Sequence, residues 1–122
     1  MTSQNLDTRF IDDCVAGCAA SHQALLALLD SITPEEIDSW CAQPSLLPKW
    51  SRGYVLAHLA RNADSHSHLF SEAGLGREGE QYAGGLQGRA EGIAAEAQLS
   101  GKELVHRTRE SIYQLEGAWA RS

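Results

Sequence analysis

Residues 47–64 read LPKWSRGYVLAHLARNAD, and the rest of the chain is interpreted outward from them. The stretch opens as a turn, with Pro48 and Lys49 before Trp50. Ser51 is placed to cap a helix, because a serine hydroxyl accepts a backbone N–H of the first helical turn. The helix then continues through Val55, Leu56, Leu59 and Ala60 to about Ala73. Tyr54, His58 and Asn62 recur at i, i+4 and i+8, so they project from one side of it. At about 100° per residue, Val55, Leu59, Ala63, His66 and Phe70 form a neighbouring apolar arc, which the pattern predicts to be the packing face. His58 lies at the edge of that arc, where a side chain can face a pocket while the arc packs.

Upstream, a first helix is predicted from about Asn5 to Asp30. Ile11, Cys14, Cys18, His22, Leu25 and Leu29 follow four- and three-residue steps, which reads as one inward stripe. On that reading Cys14 and Cys18 pack as small hydrophobes, and the inward imidazole of His22 needs a polar partner or an open cavity. Adjacent members of Cys14, Cys18 and His22 are spaced for shared metal binding, but the outer two lie about 12 Å apart along the axis. Thr33, Pro34 and Glu36 form a capping box that starts a short second helix, which ends at Gln43–Pro44–Ser45.

Downstream, Gly74 to Gly88 is glycine-rich and polar, a mobile connection long enough to border a site. A short helix follows over about Leu86 to Ala97. Ser100 and Glu103 form a second capping box, and the last helix carries Leu104, Thr108, Ile112, Leu115 and Trp119 on one stripe. With no strand-like alternation and no internal repeat, the fold is expected to be an all-α antiparallel helix bundle, with Leu25, Leu29, Val55, Leu59, Ile112 and Leu115 in its core.

At 122 residues the chain makes one domain, and 43% hydrophobic residues suffice for a core. A net charge of −6 argues against nucleic acid or an anionic membrane as partner. No apolar run approaches a membrane span, and the N-terminus lacks the basic and apolar regions of a signal peptide. A cytoplasmic location is the expectation, in keeping with three cysteines that lack paired spacing.

The residues alone leave His58 as a hydrogen-bonded boundary histidine or a metal ligand. His66 lies about 12 Å further along the axis and His68 points to another side, so the three cannot converge on one ion. Glu103 and His106, three apart, fall on the solvated face of the last helix. Tyr54 either orients the imidazole of His58 or stacks. Arg89 either grips a substrate carboxylate through its two-pronged guanidinium or makes a surface ion pair with Glu91 or Glu96.

The pattern LPxWxRGxVLAHLARNAD resembles the signature of the mycothiol-dependent maleylpyruvate isomerase family, in its N-terminal metal-binding domain, part of the DinB-like group of helical bundles. The likeness continues through Gln81–Tyr82, Arg89, Ile93 and a closing helix ending Ala118–Trp119–Ala120, and covers roughly residues 20 to 120. It implies His58 as the first ligand of a divalent metal, zinc in the usual case. The shared stripe and the inward position expected for His22 put Tyr54 and Asn62 within one turn of His58, as pocket residues or as hydrogen-bond donors to what His58 holds, with His22 across from it. It also implies mycothiol as the thiol and a small electrophile as substrate, isomerised from cis to trans or joined to the thiol. Two departures are expected to matter. Tyr54 stands where the family often has histidine, and the Glu-x-x-x-His pair of a fourth main helix has no counterpart here. The 122-residue domain is therefore expected to be truncated relative to the family, inactive alone, and a candidate for homodimerisation. A non-catalytic helical fragment or interaction domain is the alternative reading.

Overall fold

The computed structural model describes residues 2–121, with side chains from Thr8 onward. Five helices occur among the described residues: α1 (Thr2–Asp30), α2 (Ile37–Ala42), α3 (Arg52–Gly74), α4 (Gly85–Glu96) and α5 (Gly101–Arg121). There is no strand among them, only an isolated antiparallel bridge between Pro44 and Ser51. None of these helices is long and apolar enough to cross a membrane. The chain divides into two compact units between Ser31 and Ile32.

The first unit is α1. Its inward stripe differs from the one expected: Ile11, Cys14 and Cys18 are exposed, Leu25 and His22 are half-buried, and burial falls on Leu26 and Leu29. A stripe interrupted by two thiols and an imidazole offers less apolar area than the leucines of the last turns, so the leucines take the buried positions.

The second unit holds α2 to α5. Ser51 caps α3 as expected, its Oγ accepting from the Tyr54 N–H at 3.1 Å. The buried face of α3 is Gly53, Leu56, Ala57, Ala60 and Ala63, one position away from the predicted arc, and Val55 and Leu59 are only half-buried. The shift follows from size. Small residues let a neighbouring helix approach closely, and close-packed interiors reward that contact more than they reward one large side chain. A Cβ on Gly53 would sit 3.2 Å from Leu104 Cδ1 and 3.3 Å from Cys41, so this position joins α2, α3 and α5.

Helix α5 supplies the other half of the core: Leu104, Thr108, Ser111, Ile112, Leu115 and Ala118 are buried. Thr108 Oγ1 donates to the Leu104 carbonyl at 2.8 Å, with the Leu56 carbonyl 3.4 Å away. Gly53 meets Leu104, Leu56 meets Thr108, and residues 67–75 share a groove with Gln114, Ala118 and Arg121. These pairs ascend together, so α3 and α5 run in the same direction, and the chain returns between them along residues 79–82, where Gly79, Gln81 and Tyr82 lie against Glu72, Ser65 and Asn62 in descending order. The helical bundle is as expected, with this pair parallel.

Two caps divide in outcome. The Ser100 cap forms, its Oγ accepting the Glu103 N–H at 3.2 Å and donating to the Glu103 carboxylate at 3.2 Å. The Thr33–Glu36 box does not: residues 34–36 make a turn, and α2 starts at Ile37 without a side-chain cap. Asp38 of α2 instead accepts the Gly101 N–H of α5 at 2.7 Å, satisfying one of that helix's free donors. Arg107 ties three helices, bonding Asp64 of α3 at 2.9 Å and Glu96 of α4 at 2.7 Å.

Candidate functional site

The turn before α3 is held by its own backbone. Ser45 Oγ donates to the Trp50 carbonyl at 2.7 Å and accepts from the Leu47 N–H at 3.0 Å, while Lys49 takes the left-handed conformation at φ 69°. This fixes Trp50 beside the first turns of the helix. Its ring packs against Tyr54 at 4.9 Å and against His58 at 5.5 Å between centroids. Tyr54 thus packs, tilted, on Trp50.

The turn before α4 depends on glycine. Gly84 adopts φ 79° and Gly85 φ 65°. A Cβ on Gly88 would collide with the Ala83 carbonyl, so the chain at 83–88 closes only without one. The closure brings Tyr82 and Arg89 together, with the Arg89 guanidinium 5.9 Å from the Tyr82 ring centroid.

Helices α3 and α4 then meet through His58 and Arg89. An Arg89 amino group lies 3.2 Å from His58 Nδ1. Arginine only donates, so Nδ1 accepts and the neutral ring carries its proton on Nε2. Burial first, and the Arg89 charge second, push the His58 pKa below its ordinary value, which favours the neutral imidazole. Neither Glu91 nor Glu96 pairs with Arg89: Glu91 accepts from Gln87 at 2.9 Å and Glu96 from Arg107 at 2.7 Å. Arg89 therefore has aromatic and imidazole neighbours in place of a carboxylate.

Asn62 turns to Tyr82, not His58. Its Nδ2 donates to the phenol oxygen at 3.4 Å. One turn on, Ser65 Oγ donates to the Asn62 carbonyl at 2.7 Å and accepts from Gln81 Nε2 at 3.2 Å. Burial is the largest influence on the Tyr82 phenol and raises its pKa. Hydrogen bonds from Ser65, Asn62 and Arg89, with the Arg89 charge, outweigh it, and the net shift is downward. Tyr82 also lines a cleft of about 300 Å³ together with Arg61, Asp64, Ser65, His68, Glu80, Gln81 and Ala83.

Of the residues singled out in the sequence, Tyr54, His58, Asn62 and Arg89 belong to this cluster. His22 lies in the first unit and is half-buried there. His66 is half-buried, and His68, Glu103 and His106 are exposed. Sequence reasoning missed Trp50 as part of the cluster and Tyr82 as its hub. A signal for Trp50 was present: Trp50, Tyr54, His58 and Asn62 form one four-residue ladder that starts a step before the cap.

A metal is implied at His58, and the described residues test it. No three His, Cys, Asp or Glu side chains converge among them. A catalytic zinc takes three protein ligands, so His58 provides one donor of a set these residues do not complete. The Arg89 contact also opposes metal at Nε2, because that nitrogen must then lose its proton to Nδ1, which could no longer accept from arginine.

Residues 18–122 match the family model described as the mycothiol maleylpyruvate isomerase N-terminal domain. The crystal structure of a mycothiol-dependent maleylpyruvate isomerase superposes with a TM-score of 0.72 at 27% identity, over 88% of this chain and 42% of that one. A histidine-to-alanine mutant of a mycothiol-dependent maleylpyruvate isomerase does so at 26% identity, with the same TM-score and coverage. The chain thus spans about two fifths of the length of the solved proteins it resembles. No curated protein matches it. With the motif, the helical fold and a family match over most of its length in agreement, the chain belongs to the mycothiol maleylpyruvate isomerase N-terminal domain family.

Proposed function

We propose that this chain supplies the thiol- and substrate-binding part of a mycothiol-dependent isomerase or thiol transferase acting on a small carboxylate-bearing electrophile. The observation that carries the reading is the His58–Arg89 contact of 3.2 Å on the family's motif helix. It joins a neutral imidazole to a cation that no carboxylate among the described residues pairs with, one turn along α3 from Asn62, whose partner Tyr82 lines a polar cleft. When bound, mycothiol supplies a thiolate that adds to a cis double bond and leaves again after rotation. Arg89 holds the substrate carboxylate, and Trp50 and Tyr54 wall off one side of His58 from water. The reading places the chain in the reducing cytoplasm, consistent with Cys14, Cys18 and Cys41 all being free thiols.

The divalent metal of the family, zinc in the usual case, enters this proposal only as an ion that His58 would help to hold, and no step is routed through it. The test is zinc affinity, measured by competition with a chromogenic chelator. The 122-residue chain should bind more weakly than micromolar. An extension carrying a helical Glu-x-x-x-His should bind tightly and lose that affinity on His58→Ala. Unchanged affinity in His58→Ala of the extended chain would sink the assignment. An interaction domain without chemistry is the second reading, favoured by the lack of any converging group of three His, Cys, Asp or Glu side chains among the described residues. It gains if the extended chain neither binds zinc nor retains carboxylates.

A further inference from the structure

His58 and Arg89 can meet in one way only. A guanidinium donates and never accepts, so the 3.2 Å contact takes the lone pair of His58 Nδ1 and leaves the ring proton on Nε2. A neutral imidazole has a single ring lone pair to offer, and Arg89 takes it. A metal at Nδ1 would displace the guanidinium directly. A metal at Nε2 would send the ring proton to Nδ1, where it would face the guanidinium donor against donor. Charge works in the same direction, because the guanidinium is permanently cationic and like charges repel at such short range. The nearest acidic residues in sequence do not neutralise it: Glu91 is held by Gln87 and Glu96 by Arg107. We infer that Arg89 and a metal ion are alternative partners of His58, so that Arg89 is a latch that must leave the imidazole before His58 can hold a metal.

A latch needs somewhere to go, and Tyr82 provides it. The Arg89 guanidinium already lies 5.9 Å from the Tyr82 ring centroid and hydrogen-bonds the phenol. That phenol is fixed from α3, where Asn62 Nδ2 donates to it at 3.4 Å. Asn62 is held in turn, its carbonyl accepting from Ser65 Oγ at 2.7 Å. Leaving His58 therefore costs Arg89 one of two partners and strands no charge, since a cation over an aromatic face keeps a favourable contact. The movement is one of a long side chain, and the backbone of α4 need not follow. What would draw the latch off rests on the proposed function. A carboxylate gripped by Arg89 takes its N–H groups and offsets its charge, so His58 is freed as the carboxylate binds. Carboxylate and metal then favour each other, and linkage makes the benefit reciprocal.

The test uses the intact chain and two NMR readouts at about pH 8, where ordinary imidazoles are neutral. Imidazole nitrogen shifts report the tautomer of His58. The unmodified chain should carry the proton on Nε2, and a proton on Nδ1 would overturn the inference without any variant. Zinc titration followed on the His58 resonances reports the competition. Arg89→Met, which removes charge and donors at similar length, should bind zinc at His58 about tenfold more tightly, the gain expected when one hydrogen bond from a charged donor no longer competes. Arg89→Lys keeps a charge and a donor and should stay close to the unmodified chain. Zinc that binds Arg89→Met no more tightly than the unmodified chain overturns the inference and leaves the proposed function standing. Should Arg89→Met lose its helical circular dichroism, the tautomer decides alone. Sodium acetate separates the two readings. It should tighten zinc on the unmodified chain but not on Arg89→Met, where its own hold on zinc acts equally. A gain in Arg89→Met with no acetate effect on the unmodified chain keeps the latch and removes the carboxylate grip from the proposed function.

Discussion

Helix α3 has two sides that solve different problems. Toward α5 it presents Gly53, Leu56, Ala57, Ala60 and Ala63, buried and nearly featureless. Toward α4 and the segment before it, α3 presents His58, Asn62 and Ser65, which meet Arg89, Tyr82 and Gln81 through long side chains. The first side brings backbones close and excludes water. The second keeps them apart and leaves polar groups at a cleft. One helix can serve both because side chains 100° apart face different neighbours. Stability should therefore reside on the α5 side and chemistry on the α4 side.

The largest effect should come from the packed side. Ile112, 2% exposed, should cost about 3 kcal/mol on truncation to alanine, from lost burial and the cavity left behind. Asn62→Ala should cost under about 1 kcal/mol, because its bond to Tyr82 is long and half-exposed. Equal costs in urea unfolding would break the comparison.

A sharper division concerns ion pairs. Arg107→Ala should destabilise by about 2 kcal/mol, since it strands Glu96, whose side chain is only 10% exposed. Arg77→Ala removes a pair whose arginine is 61% exposed and should cost less than about 0.5 kcal/mol. Thermal unfolding of the two variants side by side checks the order.

The cleft side should show itself in pH dependence. The folded pKa of His58 lies below the ordinary histidine value, so the unfolded chain takes up a proton more readily than the folded one. The charged form is the disfavoured one, so stability is intact above the ordinary histidine value and is lost as pH falls toward and through the folded value. His58→Gln should flatten this part of the profile. Arg89→Gln should raise the His58 pKa by removing the adjacent charge, while burial keeps it depressed in part. Proton NMR of the imidazole resolves both, and an unmoved pKa in Arg89→Gln would refute the contact.

The mildest perturbation is thiol labelling. Cys41 is buried beside Asp38, and burial first, then the carboxylate, pushes its pKa up. Cys14 and Cys18 are exposed. An aromatic disulfide reagent should modify those two at least about tenfold faster than Cys41. Three equal rates would mean that the α2–α3 contact around Cys41 opens freely.

The legible features were those set by neighbouring residues. Ser51 and Ser100 cap helices because each cap needs only its own hydroxyl and an N–H three residues on. The glycines at 84, 85 and 88 marked a turn, and α4 begins there, at Gly85. The Thr33 box was misleading for the opposite reason: Asp38 is used in a tertiary contact with Gly101, and α2 starts later than its local signal. The α3 packing face was misplaced by one position because hydrophobicity ranks valine and leucine above alanine, whereas helix approach distance favours alanine.

By itself the sequence determined an all-helical chain, the helix that carries His58, Tyr54 and Asn62, and the family to which that helix belongs. Periodicity, capping and a contiguous motif are local, and one-dimensional order preserves them. Only the tertiary structure decided that Arg89 meets His58 rather than a glutamate, that Asn62 serves Tyr82, and that α3 and α5 run parallel. The Arg89 and Tyr82 contacts join residues 31 and 20 positions apart, across turns whose direction depends on backbone angles at a few glycines. No spacing rule along the chain carries that information, because it is set where helices α3 and α4 come together.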